Sequence, residues 1–314
     1  MTPLHRLRCG LWSAEVAADI GGALASFWSV DASGAPRHWM RPADAAALTA
    51  GDAFCMASFP LVPWCNRIRD GRFAWQGRAV QVAGNRRGAA HALHGLGWQR
   101  PWTVERADEL SIDLTLDDAG QGAWPFPYQA RQRYALDDRG LEIRLELVNT
   151  GPTRLPAGIG HHPYFPHRRG GAGTRVTAEV EGLWLSDADL LPVALSTTDP
   201  AVGALARGMR LSDCVLDNNF TGYRRRAHIA WPDGSGLRIV ASAPLDFLVL
   251  YSPAVEPVFV LEAVSNCTDW MNLLDRGVVG ARPETVGGSA LEPGASLVAT
   301  TRFEPEMPPL QNRK

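Results

Sequence analysis

The 314-residue chain lacks a charge excess of either sign. Its 31 lysines and arginines stand against 33 aspartates and glutamates, a formal net charge of -2. That balance gives no electrostatic footprint for a polyanion, so nucleic acid is not an expected partner. Cysteine is scarce: Cys9, Cys55, Cys65, Cys214 and Cys267 are odd in number, irregular in spacing and without a CxxC pair. This excludes a disulfide framework and the usual zinc patterns, and points to free thiols in a reducing cytoplasm. No apolar run approaches the ~20 residues that span a bilayer. The segment Met1–Arg6 leads into Ala14-Glu15-Val16 without the apolar core of a signal peptide. A sustained 3.6-residue apolar period is also missing; Pro42–Gly51 and Asp269–Arg276 each suit only a short helix.

What the chain does have is alternation. Ser111–Leu116 and Leu141–Leu147 place apolar and polar side chains on opposite faces of a strand. The segments Val176–Val180, His228–Trp231, Leu237–Val240, Phe247–Tyr251, Val258–Glu262 and Ala299–Phe303 read likewise. Turn chemistry at Asp138-Arg139-Gly140 and Pro232-Asp233-Gly234 separates neighbouring strands, the second as a hairpin. Short strands punctuated by 31 glycines and 23 prolines predict an all-β antiparallel sandwich or barrel. No break in composition marks a linker, so residues 1–314 are expected to form one domain with a flexible tail at 305–314.

Two segments pair a proton donor with an acceptor. His162 lies in Gly160-His161-His162-Pro163-Tyr164-Phe165, where glycines permit close approach and aromatics build a wall. Histidine is the side chain whose ordinary pKa lies nearest neutrality, but His161 beside it competes for any role. Neighbours in a strand face opposite ways. Glu262 ends the apolar run Val258-Phe259-Val260-Leu261, on the face of Val258 and Val260, where an apolar setting raises basicity; a solvated strand-end glutamate is the plainer alternative. His94, between Leu93 and Gly95, is either a ligand-facing donor or a turn histidine. Arg67, after Asn66, is a surface residue unless buried, where it needs acceptors such as sugar hydroxyls or a carboxylate. Asp217, heading Asp217-Asn218-Asn219-Phe220, suits vicinal hydroxyls but equally an Asx turn. Arg86-Arg87, Arg168-Arg169 and Arg224-Arg225-Arg226 read as solvated loops able to meet a phosphate.

Taken in order, Asn66-Arg67-Ile68 with Gly71 and Phe73, His94-Gly95 with Trp98 and Trp102, His162-x-Tyr164-Phe165, Asp217-x-x-Phe220 and Glu262 resemble the aldose 1-epimerase family, the galactose mutarotase-like proteins. The resemblance runs from Gly21-Gly22 to the last strands. It implies a large antiparallel β-supersandwich with few short helices. It further implies an enzyme without metal or cofactor, a monomer or homodimer acting on a small monosaccharide. By motif, Glu262 is similar to the general base, His162 to the general acid, and His94, Arg67 and Asp217 to the groups that hold the sugar. The implied reaction removes the C1 hydroxyl proton, protonates ring oxygen O5, opens the ring and recloses it on the other face.

The chain departs from the galactose-specific pattern, since Ala263-Val264-Ser265-Asn266 follow the glutamate where threonine and glutamine are usual. A free aldose such as glucose or galactose is the first expectation. A hexose 6-phosphate held by the arginines is the second. A non-catalytic sugar-binding protein, with Trp64, Trp98, Trp102 and Trp270 stacking on sugar faces, is an alternative of another class.

Overall fold

The alternating segments pleat as expected. The computed structural model describes residues 3–30, 34–122, 124–167 and 173–308. Tyr128–Asp137 and Gly140–Asn149 alternate buried and half-buried side chains and pair antiparallel through the Asp138-Arg139 turn. They belong to a nine-stranded antiparallel sheet that runs from Thr103–Ala107 through Ser296–Glu306 to Met209–Arg210. Arg226–Ala230 and Gly236–Ala241 form the expected hairpin within it. An eight-stranded sheet packs against this one, in the order Pro192–Ser196, Gly182–Ser186, Leu216–Thr221, Phe247–Ser252, Val258–Val264, Gly160–His161, Pro60–Leu61, with the eighth strand, Tyr164–Pro166, also pairing with Val258–Val264. Aromatic rings link the two layers: Phe165 lies 5.5 Å from Phe259 and 6.2 Å from Phe303 of the larger sheet. This is the antiparallel supersandwich, with its buried apolar side chains in one continuous cluster.

Sequence periodicity left some elements out. His5–Cys9, Trp12–Ala17, Ala23–Val30 and Pro36–His38 make a further four-stranded sheet, and the helices Pro200–Ala206 and Pro283–Val286 were not anticipated. The two short helices that were anticipated occupy Ala45–Ala50, capped by Asp44 and Gly51, and Trp270–Leu273. The last strand reaches Glu306, past the expected start of the tail, because Pro305 and Glu306 pair with Leu237 and Gly236. The end of that tail, 309–314, lies outside the described residues.

One strand sets up the site. All seven residues of Val258–Val264 are buried, so both faces of this central strand are covered. Glu262 is therefore not at a sheet end: the strand continues to Val264, and Glu262 sits opposite Val249. Phe259 and Leu261 face the opposite way to Val260 and Glu262. Cross-strand partners share a face, so Asp217, Tyr251, Val260 and Tyr164 form one row and Asn219, Val249 and Glu262 the next. Four separate segments thus deliver polar groups to one face of the smaller sheet.

Candidate active site

His161 and His162 diverge as strand neighbours must. His161 enters the core, its ring 6.1 Å from Tyr134 of the larger sheet and its Nδ1 3.3 Å from Ser58 Oγ. His162 turns to the other side, where Phe59 stacks on it at 4.6 Å and 15° and Nε2 stands 3.3 Å from Glu262 Oε1. Both members of that pair are buried. The competition between the two histidines is settled by geometry: only His162 meets the carboxylate.

A reciprocal backbone contact holds His94. Its N–H donates to the Asn66 carbonyl at 2.9 Å, and the Asn66 N–H donates to His94 Nδ1 at 3.1 Å. Both residues adopt left-handed backbone, φ 60° at Asn66 and 59° at His94, a conformation that costs a side chain energy and marks a positioned residue. Gly95 beside it must be glycine, since a Cβ there would stand 2.0 Å from the Val62 carbonyl oxygen. Because Nδ1 of His94 accepts, the neutral ring carries its proton on Nε2 and donates from that atom. The His94 ring meets the His162 ring edge-on at 5.1 Å.

Arg67 and Asp217 find each other at 3.5 Å. Arg67 is mostly buried, and its Nη1 also donates to Asn66 Oδ1 at 3.1 Å, so it braces the Asn66–His94 turn while its charge is met by Asp217. Asp217 is thus not spent in an Asx turn. All five expected residues converge, and ligand atoms of His94, His162 and Glu262 lie within 4.8 Å of one another. Two histidines and a carboxylate are a donor set for a metal. This one does not fit a cation, because His94 accepts an amide proton at Nδ1 and is protonated at Nε2, which leaves no lone pair to donate.

Burial moves the titrating groups in opposite directions. Desolvation, then the neighbouring Asp217 charge, raises the Glu262 carboxyl well above its ordinary range. Desolvation, reinforced by Arg41, Arg86 and Arg67, lowers His162 to about 3. His94 is lowered as well, first by burial and then by His162, Arg67 and Arg86. Burial thus disfavours the charged form of each member of the pair.

Some residues of the site left little trace in the sequence. Phe54 and Phe59 wall the histidines, and Arg41 and Arg86 lie over Tyr164 and Phe54, with Cζ 3.7 and 3.5 Å from the ring centroids. Of the tryptophans expected to stack on sugar, Trp64 packs on Trp124 at 4.8 Å and Trp102 is buried, as is Trp270; Trp98 alone of the four is half-exposed, edge-on to Phe54 at 4.9 Å. Arg224 and Arg225 are engaged by Glu181 and Asp246, each at 2.7 Å, and Arg168-Arg169 lie outside the described residues.

Similarity to known proteins agrees with this geometry. The family model described as aldose 1-epimerase matches residues 11–304. The uncharacterized protein YphB of Escherichia coli (strain K12) is 31% identical over 298 residues, 90% of this chain and 91% of YphB. Among solved structures, an Escherichia coli K12 protein provisionally named an aldose 1-epimerase superposes with a TM-score of 0.83 at 27% identity, covering 97% of this chain and 99% of that one. A galactose mutarotase-like protein of Clostridium acetobutylicum shares the fold, with a TM-score of 0.82 at 17% identity and coverage of 96% and 94%. The chain belongs to the aldose 1-epimerase family.

Proposed function

We propose that this protein interconverts the α and β anomers of an aldose, with Glu262 as general base and His162 as general acid. The observation that carries the reading is the 3.3 Å approach of these two groups beside His94. They share one proton and can face two oxygens on a single anomeric carbon. The productive form is Glu262 carboxylate with His162 imidazolium, one proton transfer away from the neutral pair that burial favours. Glu262 takes the O1 proton, the O1 electron pair forms the C1 carbonyl, and the C1–O5 bond breaks. Its electrons go to O5, which receives the His162 proton. Rotation about C1–C2 and the reverse transfers close the ring on the opposite face. The two proton transfers each contribute about 10²–10⁴-fold by usual magnitudes.

The supporting groups suit a polyhydroxylated ring. His94 donates from Nε2 and offsets charge growing near O5, while Arg67 and Asp217 present a fixed donor and acceptor to hydroxyls. Ring opening turns O1 into the carbonyl oxygen and O5 into a hydroxyl with no net gain or loss of electrons, so the reading is of a cofactor-independent isomerase. Five free cysteines fit a reducing compartment, and we place the protein in the cytoplasm. Among the described residues no helix is long and apolar enough to cross a membrane.

Polarimetry of freshly dissolved α-D-glucose, α-D-galactose and an aldopentose tests the reading, comparing wild type with Glu262→Gln. Faster mutarotation by wild type alone is the expected result. Saturable sugar binding with no acceleration of anomer exchange would instead mean a binding protein.

A further inference from the structure

Asn219 stands apart from the other buried amides. Of the four buried asparagines among the described residues, three are pinned. Asn66 Oδ1 accepts from the Arg67 N–H, Asn149 Nδ2 donates to the Thr153 and Leu291 carbonyls, and Asn266 Nδ2 donates to those of Cys65 and Cys267. Asn219 is 3% exposed, and neither its amide oxygen nor its amide nitrogen has a hydrogen-bond partner among the described residues. A buried amide in that state costs free energy at both ends. Its backbone is ordinary ladder, in register with Val249, so the side chain and not the strand carries the anomaly.

Register aims that amide to the side of the reacting groups. Asn219, Val249 and Glu262 are cross-strand partners and so share a face of the smaller sheet; Asp217, two residues along the strand from Asn219, shares it too. His162 meets Glu262 from the opposite flank at 3.3 Å. The order across the floor is thus His162, Glu262, Val249, Asn219, with neighbouring strands about 4.8 Å apart. Glu262 Oε2 is likewise without a partner, and only the methyl groups of Val249 lie between it and Asn219 in this row. Low exposure does not separate Asn219 from the chemistry, because Glu262 is itself 2% exposed.

Resting on the epimerase reading, that order selects the part of the sugar that Asn219 meets. O5 lies at His162 and O1 at Glu262, so the ring runs from C1 to C2 and C3 on the side of Val249 and Asn219. We propose that Asn219 contacts the substrate directly and selects an aldose with hydroxyls at C2 and C3, its amide N–H donating to one oxygen and its amide oxygen accepting from the other. An amide suits that pair because a hydroxyl both donates and accepts. A sugar lacking the hydroxyl leaves the buried amide unpaired, which is how a site built on hydrogen bonds rejects the analogue without one.

Two-dimensional exchange NMR at the anomeric protons of glucose, 2-deoxyglucose, 3-deoxyglucose and 4-deoxyglucose, each corrected for its spontaneous rate, compares wild type with Asn219→Leu; Asn219→Ser, whose hydroxyl is too short to replace the amide, serves if the leucine variant does not fold. For wild type, kcat/KM is expected to be about tenfold lower for the 2-deoxy or 3-deoxy sugar than for glucose, the scale of one hydrogen bond to a buried group. In the variant glucose should lose about tenfold and that deoxy sugar little, so their ratio falls toward one while the ratio for 4-deoxyglucose stays as in wild type. Asn219→Leu should also melt no lower than wild type, because the amide it removes has no partner to lose. Equal losses on all four sugars would assign Asn219 a structural role and overturn the proposal, as would wild type that treats the 2-deoxy and 3-deoxy sugars like glucose or a preference that survives the variant. If none of the four exchanges faster with wild type than without protein, the epimerase reading itself falls and this one with it.

Discussion

His162 Nε2 and Glu262 Oε1 face each other at 3.3 Å on a floor that disfavours charge on either. Two groups that share one proton act as a unit, so removing either disables both transfers. Glu262→Gln and His162→Asn should each lose about 10²–10⁴-fold in kcat, about 3–5 kcal/mol of transition-state stabilisation. The double variant should lose far less than the product of the two. Fully multiplicative losses in exchange NMR would contradict the shared-proton pair.

The limbs of the pH profile follow from the directions of the shifts. The active pair holds one proton. On the acid side it gains a second at His162, whose pKa is lowered to about 3; on the alkaline side it loses the shared proton at Glu262, whose pKa is raised. The two apparent values belong to the pair. Activity should therefore persist well below the ordinary histidine value of 6.5 and decline on the alkaline side. This reverses the simpler assignment, in which glutamate protonation limits at low pH and histidine deprotonation at high pH. An acid limb centred near 6.5 in kcat/KM would refute it.

His94 is fixed as a donor by the Asn66 N–H at 3.1 Å. Nitrogen-15 shifts should show Nδ1 bare and Nε2 protonated across the neutral range. His94→Gln keeps a donor and His94→Leu does not, so the leucine variant should lose about 10²–10³-fold in kcat, the cost of one donor at a developing oxyanion, and the glutamine variant less. Equal losses would assign His94 a packing role.

His161 offers a test of the buried histidines away from catalysis. Its folded pKa is lowered to about 3 from 6.5 by burial alone. Between those values the unfolded chain binds a proton that the folded one refuses, so its contribution is full above 6.5 and shrinks as pH falls toward 3. The slope is about 1.4 kcal/mol per pH unit. Denaturant unfolding of wild type and His161→Asn should show the difference between them changing in favour of the variant on acidification. A difference independent of pH would mean that His161 is protonated in the fold.

Asn266 and Ser265 clasp the strands that present the site. Asn266 Nδ2 donates to Cys65 O at 3.3 Å and Cys267 O at 2.9 Å, and Ser265 Oγ accepts from the Ile159 N–H at 2.8 Å. Cys65 leads into Asn66-Arg67, and Ile159 into the His162 segment. Asn266→Ala should cost about 1–3 kcal/mol for the buried carbonyl left unpaired, and lower kcat by about 10–100-fold through misplacement. Gly158→Ala should act alike, because its Cβ would fall 2.1 Å from Asn266 Oδ1. Wild-type kcat in a folded Asn266→Ala protein would exclude Asn266 from the support of the site.

The sequence by itself determined the fold class and the chemical types in the cleft. Alternation in segments such as Leu141–Leu147 is a local property of the pleat, legible wherever one face is buried, and the order of short motifs pointed to Glu262, His162, His94, Arg67 and Asp217. Only the tertiary structure decided how they act. Strand geometry puts Glu262 on the face of Val258 and Val260, but Val258–Val264 is buried on both faces, so its own pattern does not tell which face meets the cleft; the strand's neighbours Val249 and Tyr164 come from other strands. The choice of His162 over His161, the tautomer of His94 and the opposite shifts of Glu262 and His162 depend on Phe59, Asn66 and Asp217, all remote in the chain from at least one group they tune. Arg86 reads as part of a solvated loop and Arg41 is not singled out, yet folding lays them over Phe54 and Tyr164. Burial and cross-strand register arise between distant segments, and no pattern confined to one segment encodes them.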